Sequence, residues 1–597
     1  MTDRARYYLT TAIAYANSQP GLHTLYEVIG ADVIARWHRM LGDDTRFLTG
    51  TDEHSVNIAE RAAAEGRAPR DFVDEQVERF RIAEGALAIA PDRFIRTTDP
   101  DHMLAAQEMV RRAYANGDIY LGTYEGWYCP NEGFRSATDV HETARGTICP
   151  NHPDVPLQWL SERNWFFRLS AYQARLERHF AEHPEFVQPD YRRNEMLGFI
   201  RGGLEDFSIS RAGASWGIPF PIAENGETAQ MEDGRWDPEA GTIYVWYDAL
   251  INYVTGAGFP ADPAAFAHWW PADLHVIGKD IARFHTIYWP AMLWSAGLEP
   301  PRRVWVHGWL LTDSGERMSK SRGNMLDPLA VVEALGSDGA RYVTLREVPF
   351  DRDADVSWDS FVRRYNADLA NDFGNLVNRT VTMAGRYLAG VRPAARAAGG
   401  AGVAGGAGVA GGAGAAGMAG APGGAGVAGG ASAAGIAGAP GGADAPGEST
   451  LADAWVALLA VYRARLEGCL LHEALATLWG FVGEANKMVD AEQPWVLAKA
   501  AAGGDAAAAT HLRHVLGDLL EACRLVALAA APFLPGTAPR VLAQLGYDYP
   551  YADDGNGGPP LLDELRWAAH ADQPGSLSTP EPLFPRLDTE ASNEAAG

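Results

Sequence analysis

The stretch ARYYLTTAIAYANSQPGLHTLYEVIGADVIARW, residues 5 to 37, decides the fold. Its first part has the β-branched and aromatic composition of a buried strand, and Pro20 and Gly21 mark a loop. Apolar residues then recur at helical spacing, with His23 and Thr24 at the start of the helix. This order predicts a parallel α/β unit whose helix N-terminus faces an anionic ligand. By position alone, a histidine there is more often a cap or a surface residue than a catalytic group.

The same alternation runs through the first 360 residues. Strand-like runs (RYYLTTAIA, TRFLTG, LHVIGK, RVWVHGW) alternate with helix-like runs (TLYEVIGADVIARWHRM, SVNIAERAAAEG), which predicts a doubly wound, Rossmann-like α/β domain. The many turn residues of 115–235 interrupt the pattern and indicate an inserted connective domain. We therefore expect the α/β domain in two halves, residues 1–114 and 236–360.

A second, all-α region follows. Apolar residues recur at three and four over 361–393 and again over 448–570, which predicts a helical bundle. Between them, residues 394–447 consist mainly of Gly and Ala and contain no aromatic residue, so we expect a flexible, disordered linker. Residues 571–597 are expected to form a C-terminal tail.

Composition limits the possible functions. The formal charge of −26 argues against broad, sequence-independent binding to nucleic acid, although a local basic face remains compatible with it. Four cysteines in 597 residues are too few for a disulfide scaffold and fit a reducing compartment. No signal peptide and no apolar run of membrane-spanning length is visible. We expect a cytoplasmic protein.

Two further stretches could carry chemistry. LTGTDEHS, residues 48 to 55, brings Asp52 to the same sheet edge as His23, where its carboxylate could hold an ammonium group or cap the next helix. VHGWLLTDSGERMSKSRGN, residues 306 to 324, sets Arg317, Lys320 and Arg322 among small residues. Such a loop can close cations onto a polyphosphate, and by composition alone it is equally a solvated basic loop.

Taken together and in order, these motifs resemble those of the methionyl-tRNA synthetases, a class I aminoacyl-tRNA synthetase family. RMSKS (317–321) differs from the family's KMSKS motif only in its first residue. TTAIAYAN (10–17), GTDEH (50–54), VWYDALINY (245–253), HVIGKDIARFH (275–285), VHG (306–308), NLVNR (375–379), EQPW (492–495) and PLFPRLD (582–588) also match. The resemblance covers essentially the whole chain except the linker.

The resemblance implies roles for individual residues. The methionine pocket would consist of Ile13, Tyr15, Asp52, Trp246, Ala249, Tyr253, Ile281, Phe284 and His285, with Asp52 taking the α-ammonium. ATP would contact Gly21, His23, Gly278, Asp280, His307, Gly308, Met318, Ser319, Lys320 and Ser321, and the catalytic groups would be His23, Thr24, Arg317 and Lys320. The tRNA anticodon would meet Asn375, Arg379, Pro494 and Trp495. Without the resemblance, each pocket aromatic is more simply a core residue, and Trp495 a helix-packing residue.

The chain departs from the family at the HIGH motif. Its four positions read Gly21, Leu22, His23 and Thr24, so neither family histidine is in register and His23 stands at the glycine position. A slightly shifted loop would still bring the imidazole to a phosphate, with the Thr24 hydroxyl and the helix amides assisting.

The second departure lies in the insert, where the family often carries a zinc knuckle. The chain offers Cys129-Pro-Asn-Glu132 and Cys149-Pro-Asn-His152. All four side chains are legitimate zinc ligands, but the ordinary structural sets contain no carboxylate. Either zinc binds here or packing holds a metal-free knuckle.

The activity implied by the resemblance is ATP-dependent activation of L-methionine to an adenylate, with Mg²⁺ on the triphosphate, and transfer to methionine tRNA, including the initiator. We expect a monomer, because the chain ends soon after PLFPRLD. Two alternatives remain: a specialised paralogue that activates an amino acid for resistance or biosynthesis, and a non-catalytic tRNA-binding relative. The altered GLHT motif (21–24) suggests both, whereas the RMSKS motif and the full pocket argue against the second.

Overall fold

We describe a computed structural model of the chain, which covers residues 4–129, 133–135, 140–143, 146–150, 152–231, 233–312, 326–397, 450–573 and 575–588. The strands are β1 (Arg6–Thr11), β2 (Ala14–Tyr15), β3 (Asp44–Asp52), β4 (Arg93–Arg96), β5 (Ile119–Cys129), β6 (Gly133–Arg135), β7 (His141–Thr143), β8 (Gly146–Cys149), β9 (His152–Pro156), β10 (Gln158–Phe167), β11 (Val187–Gln188), β12 (Phe207–Ser208), β13 (Ser210–Arg211), β14 (Thr242–Ile243), β15 (Leu274–Gly278), β16 (Val304–His307), β17 (Leu310–Thr312) and β18 (Ala354–Val356).

The α-helices are α1 (Leu22–Leu41), α2 (Val56–Ala64), α3 (Pro69–Ala86), α4 (Pro100–Ala115), α5 (Gln173–Glu182), α6 (Asp190–Arg201), α7 (Val245–Leu250), α8 (Asn252–Ala257), α9 (Pro263–Trp269), α10 (Trp289–Ser295), α11 (Pro328–Glu347), α12 (Trp358–Arg364), α13 (Asn375–Tyr387), α14 (Thr450–Glu467), α15 (Leu471–Glu492), α16 (Pro494–Ala502), α17 (Ala506–Ala530), α18 (Thr537–Gln544) and α19 (Leu561–Glu564). Two π-helical segments, Phe284–Tyr288 and Tyr365–Gly374, run into α10 and α13. In the parts of the chain described, none of these helices has the length and apolar character needed to cross a bilayer.

The centre of the molecule is a parallel sheet in the order β11-β16-β15-β1-β3-β2, with β4 also paired to β3. The predicted α/β class is therefore confirmed. The four strand-like runs recognised in the sequence became β1, β3, β15 and β16, and the two helix-like runs became α1 and α2.

Both faces of this sheet are buried, because successive strand residues alternate between two cores. Leu9 and Phe47 belong to one core, which α1 shares with α11 and the C-terminal helices. Tyr8 and Leu48 belong to the other, which includes α4, α8 and much of the segment following α4. Strands covered on both sides explain the near-continuous apolar runs in the sequence.

Strand β5 follows α4 within the segment predicted to be an insert, whose boundaries stay a prediction. The long β5–β10 ribbon is its main element, and β7, β8 and β9 form a small antiparallel sheet beside it. The insert also contains α5, α6 and β11, and β11 returns to the central sheet by pairing with β16. That return was not predicted.

The C-terminal region is helical, as expected, and packs against the sheet domain. The Tyr342 ring of α11 lies 4.4 Å from the Trp479 ring of α15, whose indole N–H donates to the Asp368 carbonyl at 2.9 Å. Most of the predicted linker (398–447) lies outside the described residues. Arg396, at its start, bonds the Asp518 carboxylate of α17 through the backbone amide at 2.9 Å.

Candidate active site

The candidate site lies at the carboxyl ends of the central strands. There β1 has β3 on one side and β15 on the other, which is the point in an open α/β sheet where ligands bind. Ala12 closes the end of β1, and its amide lies 3.2 Å from the Val276 carbonyl and 2.7 Å from the Glu27 carboxylate. Strand ends, α1 and the loop after β3 thus meet at one edge.

The first turn of α1 faces this edge. Gly21 is the N-cap, in an extended conformation and without a side-chain cap, and His23 and Thr24 follow it half-buried. A helix N-terminus favours an anion through its amides and its dipole, and here the Leu22 amide already donates to the Leu326 carbonyl at 3.2 Å. The geometry brings Gly21, His23 and Thr24 to the crevice, and their contact with phosphate stays a prediction.

Glu27 is a site residue that the sequence analysis missed. Its carboxylate, buried one turn beyond His23, lies 2.8 Å from Nε2 of His307 at the end of β16. Burial lowers the pKa of His307, but the hydrogen bond and the charge of Glu27 outweigh burial and leave that pKa raised. The available signal was a carboxylate at i+4 from His23, on the same face of a mostly apolar helix.

The glycines predicted to approach adenosine lie where side chains do not fit. A Cβ on Gly278 would lie 2.8 Å from Oδ1 of Asp280, and one on Gly308 would lie 2.0 Å from the Arg352 carbonyl carbon. Asp280 is 3.4 Å from the indole nitrogen of Trp309. The structure thus collects Gly278, Asp280, His307 and Gly308 at the ends of β15 and β16.

Five of the predicted methionine residues contact one another. Tyr15, Trp246 and Phe284 form an aromatic wall, and Tyr253 and His285 form a hydrogen-bonded pair. Trp246 stacks on Phe284 with ring centroids 4.2 Å apart, and Tyr15 meets Trp246 edge-on at 5.8 Å. In the hydrogen-bonded pair, the Tyr253 hydroxyl lies 2.6 Å from Nε2 of His285. Such rings suit an unbranched thioether.

His285 is neutral in this arrangement. Its Nδ1 donates to the Ile281 carbonyl at 3.0 Å, which leaves Nε2 to accept from the tyrosine. Burial lowers the His285 pKa to about 4. Both Phe284 and His285 lie in a π-helical turn, a distortion frequent at functional sites. Of the other predicted members, Ile13 lies between β1 and β2, Ala249 lies on α7, and Asp52 ends β3.

Asp52 ends β3 and is 2% exposed. Its Oδ1 has no hydrogen-bond partner among the residues that the structure describes. Burial, and next the charge of Asp248, raise the pKa of Asp52 well above its usual range. A buried carboxylate oxygen without a donor is a costly feature that an ammonium ligand would relieve. The alternative role as a helix cap is wrong, because Ser55 caps α2 through the Ile58 amide.

The RMSKS residues Arg317, Met318, Ser319, Lys320 and Ser321 lie outside the described residues. The described chain on either side is anchored: β17 pairs in parallel with β18, and α11 begins behind an Asp327 cap. Their predicted roles stay predictions.

The knuckle prediction is only partly visible. Cys129 and Cys149 are fully buried and share one small apolar cluster with Leu157. Backbone pairing sets Cys149 opposite His152. Glu132 and the His152 side chain lie outside the described part, so the zinc site stays a prediction.

The predicted anticodon residues lie at the starts of two helices in contact, α13 and α16. Asn375 begins α13 and Pro494 begins α16, while Arg379 pairs with Asp490 at 3.3 Å. Trp495 is 42% exposed. The part of the indole that is exposed is available for stacking, and the anticodon role of Trp495 stays a prediction.

Comparison with known proteins gives a consistent result. Residues 7–381 match the family model described as tRNA synthetases class I (M). The chain is 40% identical over 589 residues to the methionine–tRNA ligase of Thermosynechococcus vestitus, covering 97% of each chain, and 40% identical over 548 residues to that of Mycobacterium bovis, covering 90% of this chain and 92% of the relative. Among solved structures, the Mycobacterium tuberculosis methionyl-tRNA synthetase in complex with methionyl-adenylate superposes with a TM-score of 0.79 at 38% identity, covering 98% of this chain and 100% of that one.

Proposed function

Since the chain belongs to the family of class I tRNA synthetases (M), we propose that it is a methionine–tRNA ligase. It activates L-methionine with ATP to methionyl-adenylate and transfers the methionyl group to methionine tRNA, including the initiator. The observation that carries the substrate assignment is Asp52, a buried carboxylate with an unsatisfied Oδ1 in the described structure, at the same crevice as the Trp246–Phe284 stack. One feature suits an ammonium and the other a thioether.

In the first step the methionine carboxylate attacks the α-phosphate of ATP, an O–P bond forms, and pyrophosphate leaves. No covalent bond to the protein is required. The chain contributes orientation and stabilisation of the departing charge. Asp52 and the aromatic wall hold the amino acid, and Gly278, Asp280, His307 and Gly308 hold the adenosine.

At the phosphates we assign His23, Thr24 and the α1 amides at Gly21 to one side. The RMSKS residues Arg317, Met318, Ser319, Lys320 and Ser321 act from the other side, with Mg²⁺ on the triphosphate. Support for the first group is its position at the N-terminus of α1, which no side chain caps. Support for the second is the motif.

Two further parts of the proposal concern tRNA and metal. Asn375, Arg379, Pro494 and Trp495 contact the anticodon, supported by the exposure of the indole. The buried thiols of Cys129 and Cys149 would hold Zn²⁺ in the insert, with Glu132 and His152 as the other candidate ligands, and the ion would stabilise the fold of the knuckle. The enzyme acts as a cytoplasmic monomer, and its low cysteine content, four in 597 residues, fits a reducing compartment.

A second candidate function, a tRNA-binding protein that does not form the adenylate, is favoured by one observation. The positions of the family's two HIGH histidines are Gly21 and Thr24. The single imidazole of this segment, His23, must then act from a different position.

Methionine-dependent ATP–pyrophosphate exchange tests the proposal. We expect exchange from the wild type, and about 100-fold slower exchange from His23→Ala and from Lys320→Ala, the loss typical of removing one charge-stabilising group. His268→Ala and Lys487→Ala, exposed side chains remote from the crevice, serve as matched controls and keep the full rate. A wild type that binds methionine tRNA but supports no exchange would establish the binding protein instead.

A further inference from the structure

A second buried carboxylate lies beside the proposed ammonium site and has no part in the mechanism above. Asp248 is fully buried on α7, between the pocket residues Trp246 and Ala249 in sequence. Each of its oxygens meets an imidazole: Oδ1 lies 2.6 Å from Nε2 of His102, and Oδ2 lies 2.9 Å from Nδ1 of His54.

These two histidines come from different elements. His54 follows Asp52 by two residues in the turn after β3, and His102 lies on α4. The other ring nitrogen of His102, Nδ1, lies 3.3 Å from the hydroxyl of Thr255 on α8. That hydroxyl donates to the Ile251 carbonyl at 3.0 Å. The carboxylate thus ties the loop that carries Asp52 to the helix that carries Trp246.

The pKa values of the two carboxylates shift in opposite directions. Burial raises the pKa of Asp248, but hydrogen bonds from His102 and His54 outweigh burial and leave that pKa lowered, so Asp248 holds its negative charge. After burial, this charge is the largest influence raising the pKa of Asp52. The carboxylate of Glu53, which also acts on Asp52, is neutralised by a bidentate contact with Arg96 at 2.6 and 2.9 Å.

An ammonium group placed at Asp52 therefore experiences two carboxylates. Asp52 would touch the ammonium. Asp248 would attract it without contact, because a buried charge is screened less than a charge in water. Burial raises the pKa of the Tyr15 phenol, and the charges of Asp52 and Asp248 raise it further.

We propose that Asp248, held between His54 and His102, is a positioning residue for the α-ammonium of the amino acid. It selects ligands with a positive charge at that point and fixes the loop that presents Asp52. The inference rests on the proposed function, because it takes methionine as the occupant of the pocket. Asp248 touches neither methionine nor ATP.

The test uses the full chain and two ligands, L-methionine and 4-(methylsulfanyl)butanoate, which keeps the thioether and the carboxylate but lacks the ammonium. Binding is measured by titration calorimetry, with the weaker ligand measured by displacement of methionine. We expect Asp248→Asn to weaken methionine about tenfold, the scale of one charge acting at a distance in a protein. The affinity for the analogue should change less than twofold.

A buried carboxylate elsewhere provides the matched control. Asp118 accepts hydrogen bonds from the Tyr172 and Ser295 hydroxyls at 2.6 and 2.7 Å, away from the crevice. Asp118→Asn removes the same charge from a similar environment and should leave the ratio of the two affinities unchanged. Equal losses on both ligands from Asp248→Asn, or no loss on either, would overturn the inference.

A pair of histidine variants keeps the test decisive if Asp248→Asn unfolds. His102→Gln retains an N–H donor for Asp248 and should keep most of the wild-type selectivity for methionine over the analogue. His102→Leu has no such donor and should lose that selectivity. Equal selectivity in the two variants contradicts the proposal. A wild type that fails to bind methionine would instead overturn the proposed function, so the two failures are distinguishable.

Discussion

At the scale of single residues, the crevice depends on groups that leave no room for alternatives. Gly308 is the tightest case, since its backbone runs against Arg352 and Asp353 at the end of β16. The requirement is steric and not conformational, because the Gly308 backbone lies outside the left-handed region. Glu27 likewise has two partners: its carboxylate accepts from the Ala12 amide at the end of β1 and contacts His307 at the end of β16.

Gly308→Ala should destabilise the protein by about 1–3 kcal/mol, the usual cost of overpacking a filled interior. It should also weaken ATP binding, because the backbone at the end of β16 must move. Urea unfolding and nucleotide titration measure the two effects. Gly385→Ala on α13 is the control: a Cβ there meets nothing within 4 Å. It should leave the protein as stable or stabilise it by up to about 1 kcal/mol.

At the scale of elements, α3 shows how a buried charge makes stability depend on pH. Its Glu84 is 5% exposed, and burial raises the pKa of that carboxyl to about 8, with Arg81 opposing and Asp32 adding to the shift. A carboxyl with a higher pKa in the folded chain binds its proton more tightly there. The resulting stability is complete below about pH 4.5 and is lost as the pH rises through 8.

Glu84→Gln should remove this pH dependence. We expect the variant to match the wild type near pH 4 and to exceed its free energy of unfolding near pH 9, by at most about 5 kcal/mol at 1.36 kcal/mol per pKa unit. Urea titrations at both pH values provide the measurement. Glu78→Gln, an exposed position on the same helix, should show no such difference. A gain from Glu84→Gln that is equal at both pH values would contradict the explanation.

The elements also show what the sequence could predict. Runs with their own periodicity, such as β1, β3, α1 and α2, were recognised because their burial pattern is local. The two-residue strand β11 was not, since Val187 and Gln188 are too short a segment to carry a period. The same limit hid the pairing of Glu27 with His307 and of Asp248 with His102: these contacts join residues 280 and 146 positions apart. The motif resemblance identified the candidate pocket but not the buried network behind it.

At the scale of the whole molecule, one arginine joins the two domains. Arg341 of α11 is fully buried, donates to the Leu87, Pro532 and Phe533 carbonyls, and pairs with Asp32 of α1 at 2.7 Å. Three carbonyls and one carboxylate, from three separate parts of the chain, thus share one guanidinium. Asp32 also pairs with Arg36, which keeps the pKa of this carboxylate lowered against burial.

Arg341→Met should cost about 3–5 kcal/mol of stability, the range for removing one partner of a buried ion pair. The loss follows because the carbonyls and part of the Asp32 charge are left without donors. Urea unfolding measures the cost, and Arg363→Met, at an exposed position on α12, is the control. A loss no larger than that of Arg363→Met would contradict the explanation.

The packing of α11 and the segment before α13 against α15 can form only late in translation. Tyr342 and Asp368 precede the Gly/Ala-rich run, whereas their partner Trp479 follows it. Translation must add about fifty residues of that run before α14 begins, which takes roughly 3–10 s at about 5–20 residues per second. During this interval the apolar sides of α11 and α13 have emerged without their native cover. In this interval the nascent chain is most exposed to binding by a chaperone and to association with another nascent chain.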